Sequence, residues 1–177
     1  MLEIFNPNAA YEALRAFLVS GGNVLIVIMC VTFFMWALII ERMLFWTMAR
    51  DSVERRAVRA WAARSDHRSW YALAIRDRLI SEARQDVERF NGIIRALVAV
   101  TPLLGLLGTV TGMVEVFDVL AVTGSSNARL LAAGISKATI PTMSGLVASL
   151  SGLIFINAFE RGAAKATNEI ADKLVIE

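Results

Sequence analysis

The stretch Thr101-Pro102-Leu103-Leu104-Gly105-Leu106-Leu107-Gly108-Thr109-Val110-Thr111-Gly112 contains no ionisable side chain, and the uncharged run around it extends over the 19 residues 96–114. As a helix rising ~1.5 Å per residue, a run of this length approaches the ~30 Å of a bilayer's hydrocarbon layer. Two further uncharged runs, 25 residues at 16–40 and 22 residues at 138–159, meet the same rule. None alternates polar and apolar side chains as a membrane β-strand would. The chain as a whole has 177 residues, of which 56% are hydrophobic, and a mean hydropathy of +0.57. That is too apolar for an ordinary water-soluble domain, and it excludes a soluble enzyme, a disordered chain and a secreted disulfide scaffold. The sequence therefore predicts an all-α membrane protein with three transmembrane helices.

Charge sets the direction of those helices. Residues 42–89 hold 11 arginines against seven acids, and Arg161, Lys165 and Lys173 follow the third run. The leader carries only Arg15 and the second connection only Arg129, with Lys137 at its edge. Because Lys and Arg are retained on the cytoplasmic side, the N-terminus is expected outside and the C-terminus inside. Glu3 and Glu12 precede Arg15, and no small-x-small site follows Ile40, so the first run is expected to stay as an anchor rather than be cleaved. The expected organisation is a periplasmic amphipathic leader at 1–15, membrane helices at 16–46, 93–119 and 134–159, a cytoplasmic helical loop at 47–92, a periplasmic loop at 120–133, and a cytoplasmic tail at 160–177. Asn8 is the candidate N-cap of the leader, where Tyr11, Leu14, Phe17 and Leu18 recur at helical spacing. That leader either lies on the outer membrane surface or is a frayed helix end. The inner loop reads as two helices broken at Ser65-Asp66-His67-Arg68-Ser69, and Phe45 and Trp46 fit an aromatic belt.

The second and third runs are not uniformly greasy. At 100° per residue, Thr101, Gly105, Gly108, Thr109 and Gly112 share an arc of about 100°, with Leu103, Leu106 and Val110 largely on the other side. In the third run Ala138, Thr142, Gly145, Ser149 and Gly152 recur at spacings of three and four. Small faces let helices approach closely in lipid. Two of them exceed what a three-helix monomer needs, so homo-oligomerisation is expected. Pro102 and Pro141 each remove a backbone donor, which either kinks the helix or frees a carbonyl for another partner. Thr109 and Thr142 either bond back to a carbonyl one turn earlier or, in a ring of subunits, line a pore.

Other chemistries lack their residues. One histidine (His67) and one cysteine (Cys30) cannot form a zinc site or an internal disulfide, so no metal or other cofactor is expected. There is no phosphate-binding Gly-rich loop and no catalytic triad, which argues against an enzyme. The net charge of +2 comes from bases interleaved with acids, better explained by membrane topology than by nucleic acid.

The Thr101–Gly112 stretch, followed by Gly134-Ile135-Ser136 and Thr142-Met143-Ser144-Gly145-Leu146-Val147-Ala148, closely resembles the MotA/TolQ/ExbB proton channel family. Three spans agree with ExbB and TolQ rather than the four-span MotA branch, and the short leader and loop look most like small ExbB proteins of TonB systems. The resemblance implies a pentameric stator ring in the bacterial inner membrane. Its second and third helices would line a pore holding the transmembrane helices of a partner, ExbD, which brings the titrating aspartate. Inward proton flow would energise TonB for transport across the outer membrane. No carboxylate lies within the three uncharged runs, consistent with a partner supplying it. On this resemblance Thr109 and Thr142 are the pore-lining, proton-pathway candidates. Gly105, Gly108, Gly112, Gly145, Ser149 and Gly152 are the helix-packing set. Where many ExbB proteins have a glutamate, this sequence has Lys137. Its stem either snorkels to the membrane surface or pairs with Glu115, Asp118 or ExbD at the outer mouth. Arg95 anchors headgroups or meets the ExbD tail. Two other readings compete: a TolQ-like subunit of the Tol–Pal motor, working with TolR and TolA, and a passive oligomeric membrane scaffold.

Overall fold

The computed structural model describes residues 7–123 and 128–176. Among them the chain forms five helices and no strand: α1 (Pro7–Met48), α2 (Arg50–Ala62), α3 (Trp70–Glu88), α4 (Asn91–Thr123) and α5 (Ala128–Lys173). Three helical stretches are long and apolar enough to cross a membrane: Gly21–Met48, Trp70–Val122, which takes in both α3 and α4, and Gly134–Lys173.

Local chemistry explains where the helices begin and break. Pro7 is the first residue of α1, where a missing N–H costs nothing because that donor has no intrahelical partner. Asn8, expected as the cap, is therefore inside the helix. Gly22 interrupts α1 with φ 65° and ψ −165°, a conformation open to glycine and costly for a side chain with a Cβ. The break falls inside the uncharged run at 16–40, so the helix that begins at Pro7 runs past residue 15, the expected end of the leader. Helix also covers 128–133, which sequence reading gives to a loop; 124–127 lie outside the described residues.

The chain divides into two compact units, one of α1 up to Met35 with Leu97–Ser151, the other of Trp36–Ala96 with the chain from Gly152 onward. In the second unit Val53, Ala57 and Trp61 of α2, spaced by four, bury one stripe. They pack with Ala72 and Ala83 of α3 and with Ile170 and Leu174 near the end of α5. Burying each large aliphatic side chain contributes about 1.5–3 kcal/mol before entropy is counted. Val87, Ala163 and Ala166 extend the core under Phe45 and Trp46. Position-specific polar contacts fix the end of α5. The Trp61 indole donates to the Val175 carbonyl at 3.0 Å, and Arg76 donates to the carbonyls of Ala171 and Leu174, both at 2.8 Å. Glu169 pairs with Arg50, and Lys173 with Glu54. The segment beyond 159 is thus a packed helix as far as Lys173.

Between α2 and α3 the chain turns where the polar run Ser65–Ser69 predicts. Asp66 organises the turn: its carboxylate accepts from the Ser69 hydroxyl and from the N–H groups of Arg68 at 3.0 Å and Ser69 at 3.1 Å. Ser69 in turn caps α3, its oxygen accepting from the Ala72 N–H at 3.1 Å. The Ser69 hydroxyl, followed by the two backbone donors, lowers the Asp66 carboxyl from 3.8 to about 2. A carboxyl depressed in the fold stabilises it fully above its unfolded value near 3.9 and loses that contribution as pH falls toward 2. Amide exchange at Ala72 and Leu73, corrected for its intrinsic pH dependence, is therefore expected to stay protected down to about pH 4 and to accelerate below it. In Asp66→Ala the same acceleration is expected already at neutral pH.

Candidate functional site

The site candidates gather in the first unit, on the facing sides of α4 and α5. Pro102 has no N–H to give to the carbonyl of Val98, four residues back. The Ser149 hydroxyl of α5 fills that vacancy, donating to the Val98 carbonyl at 2.8 Å. Two turns along, the Thr142 hydroxyl donates across the same seam to the Gly105 carbonyl at 2.7 Å. Of the two fates open to Pro102, the structure displays the freed carbonyl taken by another helix. In hydrocarbon a carbonyl without a donor costs several kcal/mol, so these bonds fix how the two helices meet.

The glycines make the approach possible. A Cβ on Gly145 would lie 2.7 Å from the Thr101 carbonyl oxygen, and one on Gly105 would lie 3.0 Å from both the Pro141 carbonyl oxygen and the Thr142 Cα. On Gly108 it would strike the Pro141 ring at 2.4 Å, and on Gly112 the Ala138 Cβ at 2.8 Å. Backbone sits where a side chain would, along about three turns of helix. The small face of α4 and that of α5 are therefore spent on each other within one chain, because the two arcs are complementary in register. Gly152 is buried in the second unit. The sides turned away from the seam are apolar and exposed: Leu103, Leu106, Leu107 and Val110 on α4, and Met143, Leu146, Val147 and Leu150 on α5.

The two threonines differ. Thr109 is half-buried and bonds back along its own helix to the Leu106 carbonyl at 2.7 Å, whereas Thr142 reaches across to α4. Thr101, fully buried, bonds back to Leu97 at 2.6 Å. At the far end of the seam the Lys137 ammonium lies 3.8 Å from a Glu115 oxygen, with both side chains largely exposed, a weak pair by distance and exposure. Asp118 is exposed and makes no ion pair among the described residues. Lys137 and Glu115 also border a cleft of about 240 Å³ with Gly22, Asn23 and Thr111. Arg95, in the second unit, is paired with Glu160 of α5.

Sequence reasoning missed Arg42. It is 1% exposed, donates to Glu41 at 2.8 Å and to the Asp86 carbonyl at 3.4 Å, and lies over the Phe45 and Phe90 rings at 4.3 and 5.5 Å. The only hint in the sequence is a charge just past an uncharged run beside aromatics. Phe90 itself, in the two-residue link between α3 and α4, has φ 66°. Next to it, Asn91 is 5% exposed and its amide has no hydrogen-bond partner.

A pair of long apolar helices, stapled by hydroxyl–carbonyl bonds and continued by a separately packed helical unit, defines a multi-pass α-helical membrane protein. The chain belongs to the MotA/TolQ/ExbB proton channel family, whose profile matches residues 47–172. It is similar to an ExbB-like biopolymer transport protein of Synechocystis, with 39% identity over 41% of this chain and 36% of that protein. Biopolymer transport protein ExbB of Salmonella typhimurium is 34% identical over 51% of this chain and 38% of its own length. The protein of the same name from Pseudomonas putida is 29% identical over 54% and 29%. The matches thus span less than two fifths of the length of these curated relatives.

The role of Ser149 has a direct test. Ser149→Ala leaves the Val98 carbonyl unpaired and is expected to destabilise the detergent-solubilised protein by about 1–2 kcal/mol in a denaturant titration. Combined with Pro102→Ala, which restores the intrahelical donor, the same change is expected to cost less than about 0.5 kcal/mol. A second comparison concerns the close approach itself. Gly145→Ala is expected to cost about 1–3 kcal/mol because backbone must move. Gly92→Ala, with nothing within 4 Å of the added carbon, is expected to be neutral or slightly stabilising.

Proposed function

We propose that this chain is the ring-forming stator subunit of a proton-driven motor of the ExbB–ExbD type in the bacterial inner membrane, energising TonB-dependent transport across the outer membrane. The N-terminus faces the periplasm and the C-terminus the cytoplasm, and five copies surround the transmembrane helices of an ExbD partner. The observation that carries this reading is the α4–α5 seam. It presents hydroxyls that cross to backbone carbonyls, one of them freed by Pro102, in a span with no acid of its own, inside a chain of a proton channel family.

In a proton path a group must accept and donate without acquiring a buried charge. The Thr142 hydroxyl spends its proton on the Gly105 carbonyl, leaving its oxygen lone pairs open to water or to a partner's acid. Thr109, half-buried on α4, is placed at the edge of the same seam. The titrating carboxylate then comes from the partner, because a proton-driven device needs one and none lies in the uncharged runs. At about 2.3 kcal/mol per charge per 100 mV, each proton delivers little, which favours a partner helix moving against smooth apolar walls. The exposed leucines and valines flanking the seam meet lipid, neighbouring copies or that helix.

The use of both small faces within one chain favours a second reading, a passive scaffold with no ion movement, since it removes one reason for the chain to assemble into a ring. Reconstitution separates the two. The chain co-purified with its ExbD-type partner is expected to give a complex with five copies by native mass spectrometry, and liposomes that acidify under an imposed proton gradient. Thr142→Val and Thr109→Val are each expected to lower that flux about tenfold, near 1.4 kcal/mol in the barrier, while Gly92→Ala, outside the seam, leaves it near wild type. Full flux in both threonine variants sinks the pathway, and no flux in any preparation supports the scaffold.

A further inference from the structure

The turn between α2 and α3 carries an anomaly unrelated to ion movement. Trp70 and Tyr71, the first residues of α3, are 79% and 58% exposed, with their rings edge to face at 6.0 Å. Tryptophan in a water-facing helical unit ordinarily buries most of its surface. These two stand out beside Trp61, which is nearly fully buried one turn of chain away. The turn is also rigidly built. Asp66 holds it from one side, while on the other the His67 ring meets Trp61 edge to face at 4.8 Å, its Nε2 lying 3.2 Å from the Trp61 carbonyl. The aromatics are presented by a fixed scaffold, which lowers the ordering cost of binding something to them.

The charge around them is one-sided. Arg64 lies over the Tyr71 ring with its Cζ 5.8 Å from the centroid, its Nε buried without a hydrogen-bond partner. The Arg68 side chain is exposed and makes no ion pair among the described residues. The one nearby acid, Asp66, already has both oxygens engaged. Further along the two helices Arg56 pairs with Asp86 and Arg78 with Glu82, while Arg55 and Arg59 of α2 make no ion pair among the described residues. The cationic surface thus extends from the turn onto α2, interrupted further along by those carboxylates. A nucleic-acid backbone tracking beyond it would run into those carboxylates, whereas a short acidic segment would not.

We infer that Trp70, Tyr71, Arg64 and Arg68 form a docking site for an acidic peptide segment of another protein, one in which an aromatic or leucine side chain is flanked by carboxylates. The apolar residue covers the Trp70 and Tyr71 rings, the combination of aromatic and arginine that dominates binding energy at protein interfaces. Its carboxylates pair with the exposed Arg68 guanidinium, and the half-buried Arg64 adds positive charge beside the Tyr71 ring.

Random peptides displayed on phage and selected against the full chain in nanodiscs test this without any proton gradient. Enriched sequences are expected to place two or more Asp or Glu around an aromatic or leucine. The synthetic winner is expected to bind more weakly as salt rises, and to lose about tenfold or more in affinity with Trp70→Ala and with Arg68→Glu. Arg84→Glu, further along α3, is expected to leave it unchanged. All four positions are exposed or at the turn, and helix content by circular dichroism confirms that the variants are folded. No enrichment, winners without an acidic bias, or binding indifferent to both variants overturns the proposal. So does tighter binding of a uridine oligonucleotide or of phosphatidylglycerol vesicles than of any acidic peptide, or disulfide cross-linking of Trp70→Cys between copies of the chain.

Discussion

Inside hydrocarbon a backbone carbonyl must find a donor, and much of the first unit follows from that requirement meeting a proline. Pro102 withdraws the donor that Val98 would use, and Ser149 on the neighbouring helix supplies another. The bond only reaches if the helices lie closer than ordinary side chains allow, which Gly105, Gly108, Gly112 and Gly145 permit. Thr142 then finds the Gly105 carbonyl within 2.7 Å. Proline, glycine and hydroxyl residues act as one device, and no member of it is explicable without the others. Its result is a seam that is polar at its centre and apolar on its flanks.

The broad architecture was legible because it rests on one-dimensional signals. Uncharged runs, their length and the break at Ser65–Ser69 can be counted along the chain, and the helices follow them. What each helical face meets cannot be counted. A wheel places Gly105 and Gly108 on one side of α4 but is silent on whether a second copy, a partner or α5 covers that side. Here α5 does, so small faces that read as a reason for oligomerisation are consumed internally. Thr109 and Thr142 illustrate the same limit. Both read as residues that bond back or line a pore, yet one bonds along its own helix and the other crosses the seam, a difference set by the register between helices. Lys137 reads as snorkelling or paired, and its distance to Glu115 depends on that register too. Arg42 escaped notice because burial of a charge depends on Asp86 and Phe90, more than forty residues away.

The second unit is organised by different physics. Its core gathers Trp61, Ile170 and Leu174 together, and Arg42 is the one charged side chain fully buried in it among the described residues. Ion pairs such as Arg50–Glu169 and Lys173–Glu54 add selectivity more than strength at partly exposed positions. The carbonyls that end α5 are satisfied by Arg76 rather than by a glycine cap, so the last turn is tied to α3 by side-chain donors. Specificity of docking here comes from where those donors sit, whereas in the seam it comes from where side chains are missing.

The link between α3 and α4 is only Arg89 and Phe90, and Phe90 occupies a left-handed conformation that an aromatic residue adopts at a cost. Its carbonyl is already committed to the Ile94 N–H at 3.0 Å, and its ring lies under the guanidinium of Arg42. Such a joint has no slack. Any turn of α4 about its axis would have to be absorbed at Arg89 and Phe90, because only these two residues separate it from α3.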